Sequence, residues 1–149
     1  MEQWREYAIR LFPDLRGLYS DDEETIWFVL SDQLNEVRKA HRAGDINRLE
    51  RIYEFAEWCF LRRDIQPEIW QAAILAFYEH LVDRAETYHS IPQWVKPTIF
   101  RELLPVFEHR LVKLPRDYGL EQPGSYSELL VSYDQVHGTN FTQQYDPQS

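Results

Sequence analysis

Apolar residues recur at intervals of three and four along the chain as far as about residue 113, the spacing of helices with one buried face. Trp4, Tyr7 and Leu11 mark a short first helix that Pro13 terminates. A second stripe begins near Ile26, and a third, from Ile46 to Phe60, follows after a short break. The pattern therefore predicts an all-α protein.

Polar residues at the ends of these stripes predict where the helices begin and end. Ser20 and Glu23 match a capping box at the start of the second long helix. Gly44 suits the left-handed residue that ends that helix, and Asp45 suits the N-cap of the third. Pro67 suits the first turn of a fourth helix, whose apolar stripe we expect to continue to residue 85.

Prolines divide the next part of the chain. Pro97 again suits a helix start, whereas Pro105 lacks the N–H that a helix interior requires. We expect a kink there, or two short helices over 97–104 and 106–113. The short connections between successive helices favour antiparallel neighbours, and we predict about five to seven helices in an antiparallel bundle or a short stacked array.

The composition changes after Leu114. Residues 115–149 are rich in Pro, Gly, Ser and Gln, and only the stretch from Tyr126 to Val136 is apolar enough to order as a short helix or strand. We expect disorder from Thr139 to Ser149. The sequence thus predicts a helical domain over 1–114 and an acidic C-terminal extension over 115–149 that is partly ordered at most.

Charge and cysteine content narrow the classes of partner and compartment. The net charge of −9 argues against nucleic acid and favours a basic partner, or merely solubility. The N-terminus has no apolar signal region, and no stretch is long and apolar enough to span a membrane. The one cysteine, Cys59, cannot form an internal disulfide, so we expect a cytoplasmic protein.

Motifs for phosphate or nucleophile chemistry are missing. The five glycines are isolated, so no P-loop and no dinucleotide-binding turn can be drawn, and we expect no cofactor. Cys59 lies in mid-helix between two aromatic residues, away from a helix N-terminus that would lower its pKa. We interpret it as a small buried hydrophobe. We therefore identify no catalytic residue in the sequence.

A metal site is the best chemical alternative. Glu86 and His89 form one Glu-x-x-His pair, which is half of a di-iron pattern, and the nearby His80 and Asp83 could add ligands. No second such pair exists in the sequence. Exposed contacts between residues three apart on a helix, His80 with Asp83 and His89 with Glu86, explain the same spacing more simply.

Two rows of acids are harder to explain by local stability. One row, on the third helix, is Glu50, Glu54 and Glu57, and the other, on the predicted fourth helix, is Glu79, Asp83 and Glu86. Like charges four residues apart on a helix cost about 0.2–0.5 kcal/mol per pair. Two such helices could present a negative surface to a basic partner, although a solvated face is the commoner explanation.

Aromatic residues are the other surplus, with 5 Trp, 9 Tyr and 8 Phe. Trp4 and Trp70 fall on the apolar stripes of their helices and suit a core. Trp27 and Trp58 lie off the apolar stripes of their own helices. Either residue could be exposed beside acids as an interface hot spot, or a second layer of helices could cover it.

The segment from Leu49 to Phe60, followed by Asp64 and then by the stretch from Ala72 to Leu81, resembles a bacterial family of small α-helical proteins. Some members of that family are regarded as immunity proteins of polymorphic toxin systems. The resemblance covers about residues 10–112 and leaves the C-terminal extension without a counterpart. It implies a binding role and carries over no catalytic residue.

Three functions remain open. The first is a non-enzymatic cytoplasmic protein that neutralises a basic partner, such as a nuclease-like toxin, through Glu50, Glu54, Glu57, Trp58, Glu79, Asp83 and Glu86. The second is a structural adaptor or homo-oligomer that uses exposed aromatics. The third is a metal-site protein or enzyme around Glu86 and His89.

Overall fold

The computed structural model describes residues 1–145, which fold as helices joined by turns and short loops, and within this range no strand occurs. Six of the helices in residues 1–145 have nine or more residues, and the all-α prediction is confirmed. Two compact units divide between His80 and Leu81. This boundary differs from the one expected at residue 114, because a change in composition does not report which helices pack together.

The first unit, Met1–His80, is built around three long helices that pack against one another. Its helices are α1 (Gln3–Leu11), α2 (Arg16–Tyr19), α3 (Ile26–Ala43), α4 (Ile46–Phe60) and α5 (Pro67–Ala76), with a 3-10 turn over Pro13–Leu15. Helices α3, α4 and α5 contact each other pairwise, and α1 packs on α4. This places α4 at the centre of the unit.

Most of the predicted helix ends are confirmed. Gly44 is left-handed with φ 66° at the end of α3, the Asp45 carboxylate accepts from the Arg48 N–H, and Pro67 opens α5. The predicted capping box at Ser20 is wrong. Helix α3 begins at Ile26, and the Thr25 hydroxyl accepts from the Phe28 N–H at 3.3 Å.

The fourth apolar stripe is not one continuous helix, contrary to prediction. Helix α5 ends at Ala76, and a 3-10 helix over Tyr78–Asp83 follows. Phe77 packs edge-on against Tyr53 and against Tyr78, and Tyr78 packs edge-on against Phe60. Burial of two large adjacent rings therefore outweighs the local preference to extend the helix.

The second unit begins at Leu81. Its helices are α6 (Ala85–Tyr88), α7 (Ile91–Trp94), α8 (Pro97–Glu108), α9 (Leu114–Tyr118), α10 (Tyr126–His137) and α11 (Phe141–Gln144), with a π-helical segment over His109–Lys113 joining α8 to α9. Of the two alternatives given for Pro105, a kink or two short helices, the second does not occur, because α8 continues through Pro105. Leu103 and Phe107 are buried on either side of Pro105, and their packing holds α8 together across the missing N–H.

The C-terminal extension is more ordered than expected. Helix α10 packs on α7 and α8, which confirms the helical alternative for Tyr126 to Val136. The disorder expected from Thr139 is wrong for residues 139–145, because the Asp134 carboxylate accepts from the Phe141 N–H and from the Thr142 N–H. Phe141 is buried as a result. The rest of that prediction, 146–149, lies outside the described residues.

Among residues 1–145, no helix is both long enough and apolar enough to cross a bilayer.

Candidate partner-binding surface

One side of α4 is largely exposed to solvent from its first residue to its C-cap. We call it the outward face of α4, and it consists of Ile46, Glu50, Glu54, Glu57 and the C-cap residue Leu61. At about 100° per residue these five positions fall within an arc of about 80°. Glu50 and Glu54 are exposed, and so are the apolar residues at the two ends, Ile46 at 55% and Leu61 at 63%.

The opposite side of α4 is fully packed, so the orientation of the outward face is fixed. Leu49, Ile52, Phe55 and Cys59 are each exposed by no more than 2%. Burying four side chains of this size stabilises the fold by about 1.5–3 kcal/mol for each large apolar one. A rotation of α4 that hid the acids would expose this core, which explains why the carboxylates stay in solvent.

Trp58 lies beside the acids in a cluster of stacked groups. Its ring stacks on Tyr7 of α1, with centroids 5.2 Å apart and planes 13° apart. The Arg62 guanidinium lies 3.8 Å from the centroid of the Trp58 ring. Trp58 is half-buried, and so is Trp27, the other tryptophan for which both exposure and coverage were open. A rigid aromatic pair with flanking charges is typical of an interface anchor.

Electrostatics ties this aromatic pair to the acidic row. Burial, followed by the charge and hydrogen bond of Glu54, raises the pKa of Tyr7. Glu57 lies within the arc of the outward face and is half-buried. Burial and then the charge of Glu57 raise the pKa of Tyr78. The first predicted row of acids is therefore assembled, with Glu50 and Glu54 as its most accessible members.

The second predicted row, Glu79, Asp83 and Glu86, is not assembled on one helical face, and this prediction is wrong. Glu79 and Asp83 belong to the 3-10 helix, whereas Glu86 belongs to α6. Both carboxylate oxygens of Asp83 accept from Nη2 of Arg110 at 2.8 Å, and Glu86 is half-buried. The prediction assumed one α-helix to residue 85, and α5 ends nine residues earlier at Ala76.

The residues of the alternative metal site do not form one. Among residues 1–145, no three His, Cys, Asp or Glu side chains are arranged to hold a metal ion. Asp83 is engaged by Arg110, and His80 Nε2 lies 3.5 Å from Glu79 Oε1. The Glu86 and His89 pair therefore has no further ligands gathered around it in the part of the chain described. Cys59 is fully buried, and burial raises the pKa of its thiol, as expected of a buried hydrophobe.

A second feature of the first unit, not predicted from the sequence, is an open cleft of about 510 Å³. The N-termini of α1, α3 and α5 meet there, and four carboxylates line it: Glu2, Asp22, Glu24 and Glu68. Acids are favoured at helix N-termini because they offset the helix dipole. Arg5 also lines the cleft, but the four carboxylates outnumber this one cation, so the net negative charge disfavours an anion.

Arg5 is exposed by only 1%, and its guanidinium makes four hydrogen bonds. It donates to the backbone carbonyls of Tyr19, Asp21 and Glu24 at 2.7–2.8 Å and to the Glu2 carboxylate at 3.1 Å. The sequence contained one sign that Arg5 is buried. It lies one turn before Ile9, within the buried stripe of α1.

The fold and this surface define an all-α protein of two helical units, one of which presents an acidic helix face with apolar ends. The chain belongs to the family described as "Domain of unknown function (DUF7674)", whose family model matches residues 5–109. The matched range includes all of α4, whereas α10 and α11 follow it. Comparisons with curated proteins and with solved structures gave no significant match.

Proposed function

We propose that the protein is a non-enzymatic binding domain that recognises a basic protein through the outward face of α4. The observation that carries this proposal is the alignment of exposed Glu50 and Glu54 beside the stacked pair of Tyr7 and Trp58. Charged groups around a rigid aromatic pair are a common composition for a protein interface. Helix α4 presents this surface on a scaffold that packs against three other helices.

The charge arrangement determines the kind of partner. Carboxylates repel nucleic acid and anionic lipid, whereas Lys and Arg side chains of a partner gain both attraction and hydrogen bonds. Complementary charge raises the association rate from about 10⁵–10⁶ M⁻¹s⁻¹ toward 10⁸ M⁻¹s⁻¹ at low salt. Binding should therefore weaken as salt is added.

The finer form of the proposal is an immunity-like inhibitor in the bacterial cytoplasm that neutralises a basic, nuclease-like toxin. Support comes from the resemblance of the segment 49–81 to a family of which some members are regarded as immunity proteins, and from the acidic face itself. An inhibitor needs a tight, fast interface rather than catalytic groups, and electrostatic steering supplies speed. Cys59 is the one cysteine and is buried, which suits a reducing compartment.

The test compares three forms of the whole chain as bait: the natural sequence, the double variant Glu50→Lys with Glu54→Lys, and Glu102→Lys. Glu102 is an exposed acid in the middle of α8 and controls for a simple change in charge. Captured proteins are identified by mass spectrometry, and the affinity of the purified partner is then measured at two salt concentrations.

We expect a basic partner that binds the natural chain and Glu102→Lys, and that binds the double variant at least tenfold more weakly. Equal binding to all three forms would reject the outward face of α4 as the recognition surface. In that case a fourth form, Glu24→Lys with Glu68→Lys, is measured, and its loss of affinity would place recognition at the cleft.

A structural adaptor or homo-oligomer is the alternative function, and exposed apolar residues of the second unit favour it. Tyr118 and Leu120 are exposed by 73% and 50% near the end of α9. Sedimentation velocity over a hundredfold range of concentration separates the two ideas. A monomer throughout supports the binding domain, whereas a concentration-dependent dimer that Tyr118→Ser abolishes supports the oligomer.

A further inference from the structure

We infer that the outward face of α4 accepts one amphipathic segment of the basic partner, with cationic residues over Glu50 and Glu54 and an apolar residue at each end, against Ile46 and Leu61. This inference rests on the proposed function and specifies the element that is recognised. It follows from the order of residues along the face, which is apolar, acidic, acidic, acidic and apolar.

The two apolar ends set the length of the segment. Ile46 and Leu61 are fifteen positions apart, which corresponds to about 22 Å along a helix. Isolated exposed apolar residues are ordinary on protein surfaces. These two residues share one helical face with the acids between them, so a single partner segment can contact both apolar ends and the acids at once.

The acids rule out a second copy of the chain as the occupant of this face. If two copies paired α4 antiparallel about its centre, Glu50 of one copy would lie opposite Glu57 of the other, and Glu54 would lie near Glu54. Like charges placed opposite one another at an interface cost several kcal/mol. A segment that carries Lys or Arg at the matching positions removes this repulsion and adds charge-assisted hydrogen bonds.

An amphipathic helix is the occupant that the spacing fits best. The exposed acids Glu50 and Glu54 are about one helical turn apart, so a partner helix that carries cations at the same four-residue spacing can meet them in register. Helix-in-groove and helix-on-face recognition uses anchors at this spacing. Trp58 and Tyr7 at the side of the face provide the rigid wall that limits where the segment can lie.

The experiment uses a synthetic 18-residue helical peptide with Leu residues about 22 Å apart and Lys between them on one face. Two control peptides carry the same residues in scrambled order or Glu in place of Lys. Binding to the full chain is followed by ¹⁵N amide shifts and by Trp fluorescence. The chain variants are Ile46→Ser with Leu61→Ser, the Glu50→Lys and Glu54→Lys pair, and Val136→Ser as a control exposed by 57% on α10.

We expect the patterned peptide to shift amides of α4 and to bind the Ile46→Ser and Leu61→Ser variant about tenfold more weakly, while Val136→Ser binds unchanged. Equal binding of patterned and scrambled peptides, or no effect of the two Ser substitutions, would overturn the inference. The proposed function is judged by a different measurement, the capture of the natural partner. If Glu50→Lys with Glu54→Lys weakens that capture, the proposed function stands even when the peptide result overturns the inference. If it does not, the proposed function fails whatever the peptide result. Shifts confined to the cleft around Glu24 and Glu68 would also overturn the inference.

Discussion

Nη1 of Arg5 donates to the backbone carbonyl of Tyr19 at 2.8 Å, fourteen residues further along the chain. The same nitrogen donates to the Asp21 carbonyl at 2.7 Å, and Nη2 donates to the Glu24 carbonyl. A single buried side chain therefore holds the whole loop between α2 and α3. The Tyr19 carbonyl is buried, and a buried carbonyl without a donor is costly, so this loop depends on Arg5 for its conformation.

Replacing Arg5 by Met should destabilise the first unit by about 3 kcal/mol, because it removes the buried bond to the Tyr19 carbonyl and the two part-buried bonds to the Asp21 and Glu24 carbonyls. Arg5→Lys keeps the charge but loses the planar fork that serves several acceptors, so it should recover only part of the loss. Urea unfolding of the full chain measures both. Equal stability of Arg5→Lys and the natural chain would show that charge alone holds the loop.

A prediction of steric origin concerns Gly124. A Cβ added there would lie 2.5 Å from ring atoms of Tyr88, whose hydroxyl donates to the Ser125 carbonyl at 2.6 Å. Because Tyr88 is buried and bonded, it cannot swing away freely, and Gly124→Ala should cost about 1–3 kcal/mol.

The matched control for Gly124→Ala is Gly17→Ala, in helix α2. A Cβ at Gly17 meets no atom within 4 Å, so Ala there should be neutral or stabilise by about 0.5–1 kcal/mol. Thermal unfolding of the two variants beside the natural chain measures the contrast. Similar effects of the two substitutions would contradict the close approach of Tyr88.

Asp134 makes the order of the C-terminal segment depend on pH. Burial raises the pKa of its carboxyl, but hydrogen bonds from Thr142, Thr139 and the Phe141 N–H outweigh burial and lower the pKa below its usual value of 3.8. The lowered pKa means that the folded state binds the proton more weakly than the unfolded state. The Asp134 carboxylate therefore stabilises the fold above about pH 4, and this contribution is lost as the pH falls through the pKa that Asp134 has in the folded state.

The corresponding measurement compares the natural chain with Asp134→Asn in urea unfolding between pH 2.5 and pH 6. We expect the variant to be less stable by about 1–2 kcal/mol near pH 6, with the difference shrinking toward pH 2.5. Amide hydrogen exchange at residues 139–145 should rise in the variant. A stability difference that stays constant with pH would contradict the role given to the charge.

The pair of Asp83 and Arg110 should contribute to stability and not to partner recognition. Both side chains are about a quarter exposed, so Asp83→Asn and Arg110→Gln should each cost about 1 kcal/mol. The double variant should cost less than the sum, because the two substitutions remove one shared interaction. Additive losses in urea unfolding, or weaker binding of the partner by Asp83→Asn, would contradict this assignment.

Local sequence signals were sufficient for most of the helix boundaries. Gly44 and Asp45 mark the turn between α3 and α4 because only a few residue types suit a left-handed C-cap and an N-cap. The start of α3 was misplaced because Ser20 and Thr25 are both acceptable caps by residue type. The choice between them is made by Arg5, which holds the intervening loop through contacts that no local pattern reveals.

The candidate surface was predictable only where its helix was continuous. Glu50, Glu54 and Glu57 lie on one uninterrupted α-helix, so their spacing translated directly into a shared face. Glu79, Asp83 and Glu86 had the same spacing, but the packing of Phe77 and Tyr78 ended α5 before that row began. The cleft depends on three helix N-termini that are far apart in sequence, and its position could not be read from any one segment.

Complete burial of Cys59 makes the chain convenient for site-directed labelling. A thiol with no solvent exposure and a raised pKa reacts slowly with maleimides, since the thiolate is the reactive form. A fluorophore attached through Glu54→Cys would therefore mark the outward face of α4 alone, without prior removal of the native cysteine. The fluorescence emission of that dye would then report, in real time, the binding of a partner to the outward face of α4.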